Sequence, residues 1–147
     1  QPIIDYVNSL GIKTLENENV YIGPKDNGFY LCGVYDRFGN RYGAYKPDIN
    51  KALENTNTHP TVLLAHQPKF IEEIENTVGI DLILCGHTHG GQIFPFNFLV
   101  KLQQPYVRGL NTHNEFTQVY VNKGTGFWGP PMRLGASSEI TFLKLSS

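Results

Sequence analysis

Apolar residues recur at Ile3, Ile4, Val7 and Leu10, the spacing of one helical face, and Gly11 follows as a helix stop. This predicts a helix over about 2–10. Strand-like runs follow at 12–15 and 19–23, and Pro24-Lys25-Asp26-Asn27-Gly28 is a turn cluster. Phe29 to Tyr35 is aromatic and apolar and predicts a buried strand. Residues 36–45 predict a loop, and Asp48 is placed to cap a short helix reaching about Asn55.

The most regular segment comes next. Thr61–Ala65 and Asp81–Cys85 are continuous apolar runs, and between them Phe70, Ile71 and Ile74 mark one face of a helix expected over 68–78. Strand, helix and strand in 25 residues imply a buried parallel pair joined by a crossover. Both strands then end at one edge of the sheet, where open α/β sheets bind ligands. A glycine-rich loop over 86–91, a helix over 97–103 and strands over 105–110, 116–122 and 138–145 complete the pattern.

Composition narrows the function classes. The 147 residues suit one domain. Charged residues are 17%, below the usual ~25%, which excludes a mainly disordered chain. Twelve basic against thirteen acidic residues leave a net charge of -1. There is thus no basic field to draw nucleic acid or an anionic membrane. No apolar run approaches the ~20 residues of a membrane-spanning helix. Cys32 and Cys85 sit inside strand-like runs and are expected as buried thiols, with a disulfide as the alternative. The chain opens on Gln1-Pro2 and enters a helix at once, as a piece of something longer would.

The chemistry concentrates in three histidines. His66 directly follows the first apolar strand. His87 and His89 lie in Gly86-His87-Thr88-His89-Gly90-Gly91, directly after the second. The expected topology brings all three imidazoles to one sheet edge, and the glycines permit the turns that aim them. Neutral imidazole ligates zinc and other first-row metals. No carboxylate lies beside these residues in sequence. Two options follow: a mononuclear three-histidine site with an open position, or part of a larger site. His59 and His113 are expected to be exposed and idle.

The segments Ala65-His66-Gln67-Pro68 and Gly86-His87-Thr88-His89 resemble the last two motifs of the calcineurin-like metallophosphoesterases. The longer run Asp81 to Pro95, the tail Asn122-Lys123-Gly124-Thr125-Gly126 through Pro130-Pro131-Met132-Arg133-Leu134-Gly135, and Gly11 to Asn17 extend the likeness along the chain. They are similar to a bacterial phosphodiesterase branch whose members are often membrane-associated with a soluble catalytic domain. The resemblance implies a layered α/β sandwich of mixed sheets flanked by helices, two divalent metal ions (Mn, Fe or Zn), and hydrolysis of phosphate esters. It assigns His66 and His87 to one metal and His89 to the other.

The same family carries Asp-x-His, Gly-Asp-x-x-Asp and Gly-Asn-His-Asp/Glu motifs, and this sequence contains none of them. Phe38-Gly39-Asn40-Arg41 comes nearest to the last and has Arg where His is required. The expectation is therefore that residues 1–147 form the C-terminal part of one metallophosphoesterase domain. The first three motifs would lie elsewhere, the metal site would be incomplete, and the chain alone would be inactive. A half sandwich would leave a sheet face open, so pairing with the missing half or with a second copy is also expected. The alternative is a non-catalytic metal-binding or interaction module.

Secondary candidates accompany the histidines. Gly124 and Gly126 are candidates to offer backbone N–H groups to a phosphate, although a plain turn explains them as well. Arg133 is a candidate for a substrate anion, with a surface ion pair as the simpler alternative. Asp36 and Arg37 are placed near the site edge or in a solvated loop. Phe127, Trp128, Pro130 and Pro131 are expected to close the core, with the lining of a pocket as the alternative. Phe94, Phe96, Phe98 and Leu99 are expected to pack, with contact to lipid or a lipid-like substrate as the alternative that a membrane-associated relative would imply.

Overall fold

The computed structural model describes residues 2–56, 58–75 and 79–146. It divides after Leu64 into two compact units. Both are α/β with mixed strand pairing, as the apolar pattern predicts.

The first unit contains α1 (Pro2–Ser9), β1 (Glu18–Ile22), β2 (Phe29–Gly33), α2 (Ile49–Ala52) and β3 (Thr61–Leu64). Strands β1 and β2 form an antiparallel hairpin in which Val20 faces Leu31, and β3 runs parallel to β2, with Cys32 opposite Leu63. Cys32, Leu63 and Ala52 are fully buried. The Tyr21 hydroxyl donates to the carbonyls of Pro24 and Lys25 at 2.7 and 2.9 Å, which fastens the hairpin turn. Asp48 caps α2 by accepting from the Lys51 amide at 3.0 Å, as expected of an N-cap aspartate. Asn17, at φ 57°, holds two loops: it donates to the Lys46 carbonyl and accepts from the amides of Tyr35 and Asp48. His59 is not idle. Its ring packs edge-on against Tyr21 with centroids 5.0 Å apart and meets the Thr58 hydroxyl at 2.9 Å.

The second unit contains β4 (Leu82–Cys85), α3 (Asn97–Gln103), β5 (Gly109–Thr112) and β6 (Gln118–Val121). Strand β6 lies parallel to β4 on one side and antiparallel to β5 on the other. The register sets Ile83 opposite Val119 and Cys85 opposite Val121. All four are buried, so one face of this sheet builds the core. His113 accepts or donates at 3.1 Å with the Tyr106 hydroxyl; it too is engaged.

Four expectations need correction. Residues 12–15 form no strand. The helix expected over 68–78 is a 3₁₀ segment, Pro68–Glu73, ended by Ile74 at φ -95°, ψ 122°; its last positions, 76–78, lie outside the described residues. The strand expected at 105–110 starts only at Gly109, consistent with Pro105 having no N–H for a ladder. Residues 138–145 carry strand-like residues but form no strand. Ile140 and Phe142 stand 90% and 93% exposed there, because no neighbouring ladder among the described residues takes up the segment.

Both cysteines are free and buried, so the disulfide alternative falls away. Burial pushes the Cys32 thiol up to about 11 and the Cys85 thiol to about 12. The folded state therefore holds both protons after the unfolded chain has released them. That contribution to stability is complete below an unfolded thiol's pKa near 8.5–9 and is lost as pH rises from there through the folded values. Native protein at pH 8 is expected to resist iodoacetamide at both thiols, and denatured protein to label at both. Rapid native labelling of Cys85 would contradict the buried assignment.

Candidate metal-binding and substrate site

Three local features of the second unit build the site. His66 leaves Ala65 beside β4: the Ala65 amide donates to the Leu84 carbonyl at 3.1 Å and the Gly86 amide to the His66 carbonyl at 3.0 Å. These bonds draw the two histidine-bearing segments together. The His66 and His87 rings stand edge to face, with centroids 5.1 Å apart and planes at 79°. Both rings are exposed and that of His89 is half-buried.

The second feature is a left-handed loop. His87 (φ 65°), His89 (50°), Gly90 (68°), Gly91 (86°) and Gln92 (39°) all have positive φ. Glycine tolerates this; histidine and glutamine are strained there, by about 1–3 kcal/mol each, and such strain clusters at functional sites. The loop is held from inside. The Thr88 hydroxyl, 3% exposed, donates to the Val107 carbonyl at 2.7 Å and accepts from the Gly90 amide at 3.3 Å. Gln92 is fully buried. Its amide grips Trp128 at both ends, donating to the carbonyl at 2.7 Å and accepting from the N–H at 2.8 Å.

The third feature is Arg133. Its guanidinium donates to the carbonyls of His89 (3.2 Å), Ala136 (3.3 Å), Lys123 (2.9 Å), Gly124 (3.0 Å) and, from Nε, Gly126 (3.0 Å). Its Nη2 also stands 3.4 Å from His89 Nδ1. The Gly124 amide donates to Asn122 Oδ1 at 2.6 Å. The structure thus shows the Arg133 guanidinium as a brace behind His89, with the Gly124 amide bonded to Asn122 and the Gly126 carbonyl accepting from Arg133. Asp36 accepts from the Phe38 amide at 2.7 Å and caps a turn of the first unit.

His66, His87 and His89 line one pocket of about 440 Å³ together with Thr88, Phe96, Leu99, Val100, Gln103 and Trp128. Phe96, Leu99, Val100 and Gln103 fall at i, i+3, i+4 and i+7, one helical face. The opposite face of α3 presents Asn97, Lys101 and Gln104 to a separate polar pocket. The aromatic segments are not core: Phe94, Phe96, Phe98, Leu99, Phe127 and Trp128 are all exposed.

Comparison with known proteins fits this arrangement. The chain is 49% identical over 146 residues to a metallophosphoesterase of Helicobacter pylori, covering 99% of the chain and 38% of that protein. It is 46% identical to a metallophosphoesterase of Campylobacter jejuni over 91% of the chain and 35% of the relative. It is 44% identical to a transmembrane protein with metallophosphoesterase domain of Bos taurus, over 95% of the chain and 34% of the relative. The chain belongs to the metallophosphoesterase superfamily. It spans little more than a third of these relatives' length. No family model and no solved structure matches it.

Metallophosphoesterases use divalent metal ions, and the donors present suit them in kind. Neutral imidazoles facing one pocket are acceptable to Mn, Fe and Zn. They do not suit them in number. Among the described residues no group of three or more His, Cys, Asp or Glu side chains is gathered around one point, and the pocket lining contains no carboxylate. No helix among the described residues is long and apolar enough to cross a membrane.

Sequence reasoning missed Gln92 and Thr88 as positioning residues. The only signal was their place inside the glycine-rich motif, since periodicity does not reveal a buried polar side chain. The φ values predict an unusual order of stability: His87→Gly should be about 1 kcal/mol more stable than His87→Ala, because only glycine relieves a left-handed backbone. Urea unfolding measures this, and equal midpoints would show that the loop relaxes. Arg133→Met keeps bulk but removes the carbonyl contacts, and should cost about 2–4 kcal/mol. It should also speed amide exchange over 123–126, whereas unchanged exchange would rule out the brace.

Proposed function

We propose that this chain carries the histidine share of a dinuclear metal site in an enzyme that hydrolyses phosphate esters. The observation that carries this reading is the placement of His66 and His87 with rings 5.1 Å apart and His89 in the same pocket, in a chain related to metallophosphoesterases along nearly its whole length. His66 and His87 serve one ion and His89 the other. Divalent ions bound there supply positive charge to phosphate oxygens and lower the pKa of water.

The protein's own part is positional. The left-handed loop aims His87 and His89, Thr88 fixes the loop's interior, and Arg133 holds the His89 backbone. Neutral imidazoles bring no negative charge to offset that of two dications. The carboxylates the site needs therefore come from outside these 147 residues, and the chain alone is inactive. Membrane attachment, named for the bovine relative, would likewise come from outside the described helices.

The test has two arms. After equilibration with Mn²⁺ or Zn²⁺ and desalting, this chain should retain well under one ion. The full product of its gene should retain two, hydrolyse bis(p-nitrophenyl) phosphate, and lose about 100-fold or more of that activity in His87→Ala, as expected for a metal ligand. A tightly held single ion on this chain, lost in His87→Ala, would establish a self-sufficient three-histidine site instead. A full-length product without phosphoesterase activity would leave a binding module.

A further inference from the structure

We propose that the pocket beside the histidines takes a phosphate ester whose alcohol portion is apolar, an alkyl or aryl group in place of a sugar or a second phosphate. The proposal rests on the phosphoesterase reading above and names the substrate class of that same site.

The composition of the pocket carries it. Its histidine end, with Thr88, is the place for the phosphate; away from the histidines the wall is Phe96, Leu99, Val100 and Trp128, with Gln103 the one polar side chain among them. Phe96, Leu99 and Trp128 are 53%, 56% and 43% exposed, so this apolar surface faces an opening of about 440 Å³, a size typical of small-molecule sites. The wall is also built. One face of α3 supplies Leu99 and Val100, its N-cap supplies Phe96, and the buried Gln92 amide clamps Trp128 at both its N–H and its carbonyl.

The charges of this lining disfavour the competing class. Among the described residues that line the pocket there is no Lys, Arg, Asp or Glu. The nearby cation, Arg133, is directed to five backbone carbonyls. The basic side chain of α3, Lys101, lies with the residues of the other pocket. A nucleoside polyphosphate would lay its second and third phosphates against Phe96 and Leu99 with no cation to meet them, and an unpaired charge against apolar surface is penalised. A single phosphate ester with an alkyl chain puts its charge at the histidines and its hydrocarbon on the wall, where burial is favourable.

Monomeric octyl phosphate and glycerol 3-phosphate are titrated into the full product of the gene in buffer containing Zn²⁺, followed by ligand-observed NMR. Octyl phosphate should saturate at least tenfold tighter than glycerol 3-phosphate. Leu99→Ala should weaken it about fivefold or more. Leu102→Ala, on the same helix but outside the pocket lining, should change it less than twofold. Both leucines are largely exposed, so neither change threatens the fold. Equal binding of the two esters, equal effects of the two leucine variants, or no binding of octyl phosphate would overturn the proposal. Zinc retained by the same preparations, which neither leucine variant should alter, reports separately on the metal half of the phosphoesterase reading. Sedimentation with phosphatidylcholine vesicles containing phosphatidic acid assigns the source. Co-sedimentation that Leu99→Ala reduces identifies a membrane lipid, and its absence beside tight octyl phosphate binding identifies a soluble ester; both uphold the apolar ester.

Discussion

The site depends on a short stretch of backbone held where most residues do not go. From His87 to Gln92 every residue but Thr88 has positive φ. Left alone, such a loop would relax, since left-handed histidine and glutamine are unfavourable. It persists because it is tied on three sides: Thr88 to Val107, Gln92 to Trp128, and Arg133 to the His89 carbonyl. Each tie comes from a different part of the chain. The histidines are aimed by tertiary contacts that over-determine the loop.

The same ties join the histidine loop to the apolar wall of its pocket. Gln92 lies three residues from His89 and fastens Trp128, a wall of the pocket. Arg133 reaches His89 and the 123–126 loop together. The segment at 126–134 and the histidine loop are thereby one structural piece. A change to either is felt at both the polar and the apolar end of the pocket. Helix α3 separates two environments by helical geometry alone: residues 96, 99, 100 and 103 face the histidines, and 97, 101 and 104 face the polar pocket.

The lining gives the histidine pocket its character. Three imidazoles and the polar Thr88 and Gln103 stand beside the hydrocarbon of Phe96, Leu99, Val100 and Trp128, with no Asp, Glu, Lys or Arg among them. Hydrocarbon of this kind is a favourable surface for an organic group and a costly one for an unpaired charge. The chain spans little more than a third of the length of the relatives it matches.

Apolar periodicity and glycine placement were enough to find α1, α3, β2, β3, β4 and the loop that carries His87 and His89, because these elements are stated locally. The His66, Gly-His-Thr-His and flanking motifs were likewise enough to name the superfamily, since short motifs on strand ends preserve chemistry in a few residues. Local pattern failed wherever the outcome depended on a distant partner. Residues 138–145 resemble a strand but have no ladder to join. Arg133 resembles an anion receptor, yet its donors meet five carbonyls that are separated in sequence and brought together only by the fold. Phe96, Leu99 and Trp128 resemble core, yet they line an open pocket, because the segment at 96–103 turns one face toward the histidines. The sequence by itself determined the three histidines and their neighbourhood. Only the tertiary structure decided which donors are spent on backbone carbonyls and which side chains line the pocket, because both depend on hydrogen bonds and helical faces that no local spacing encodes.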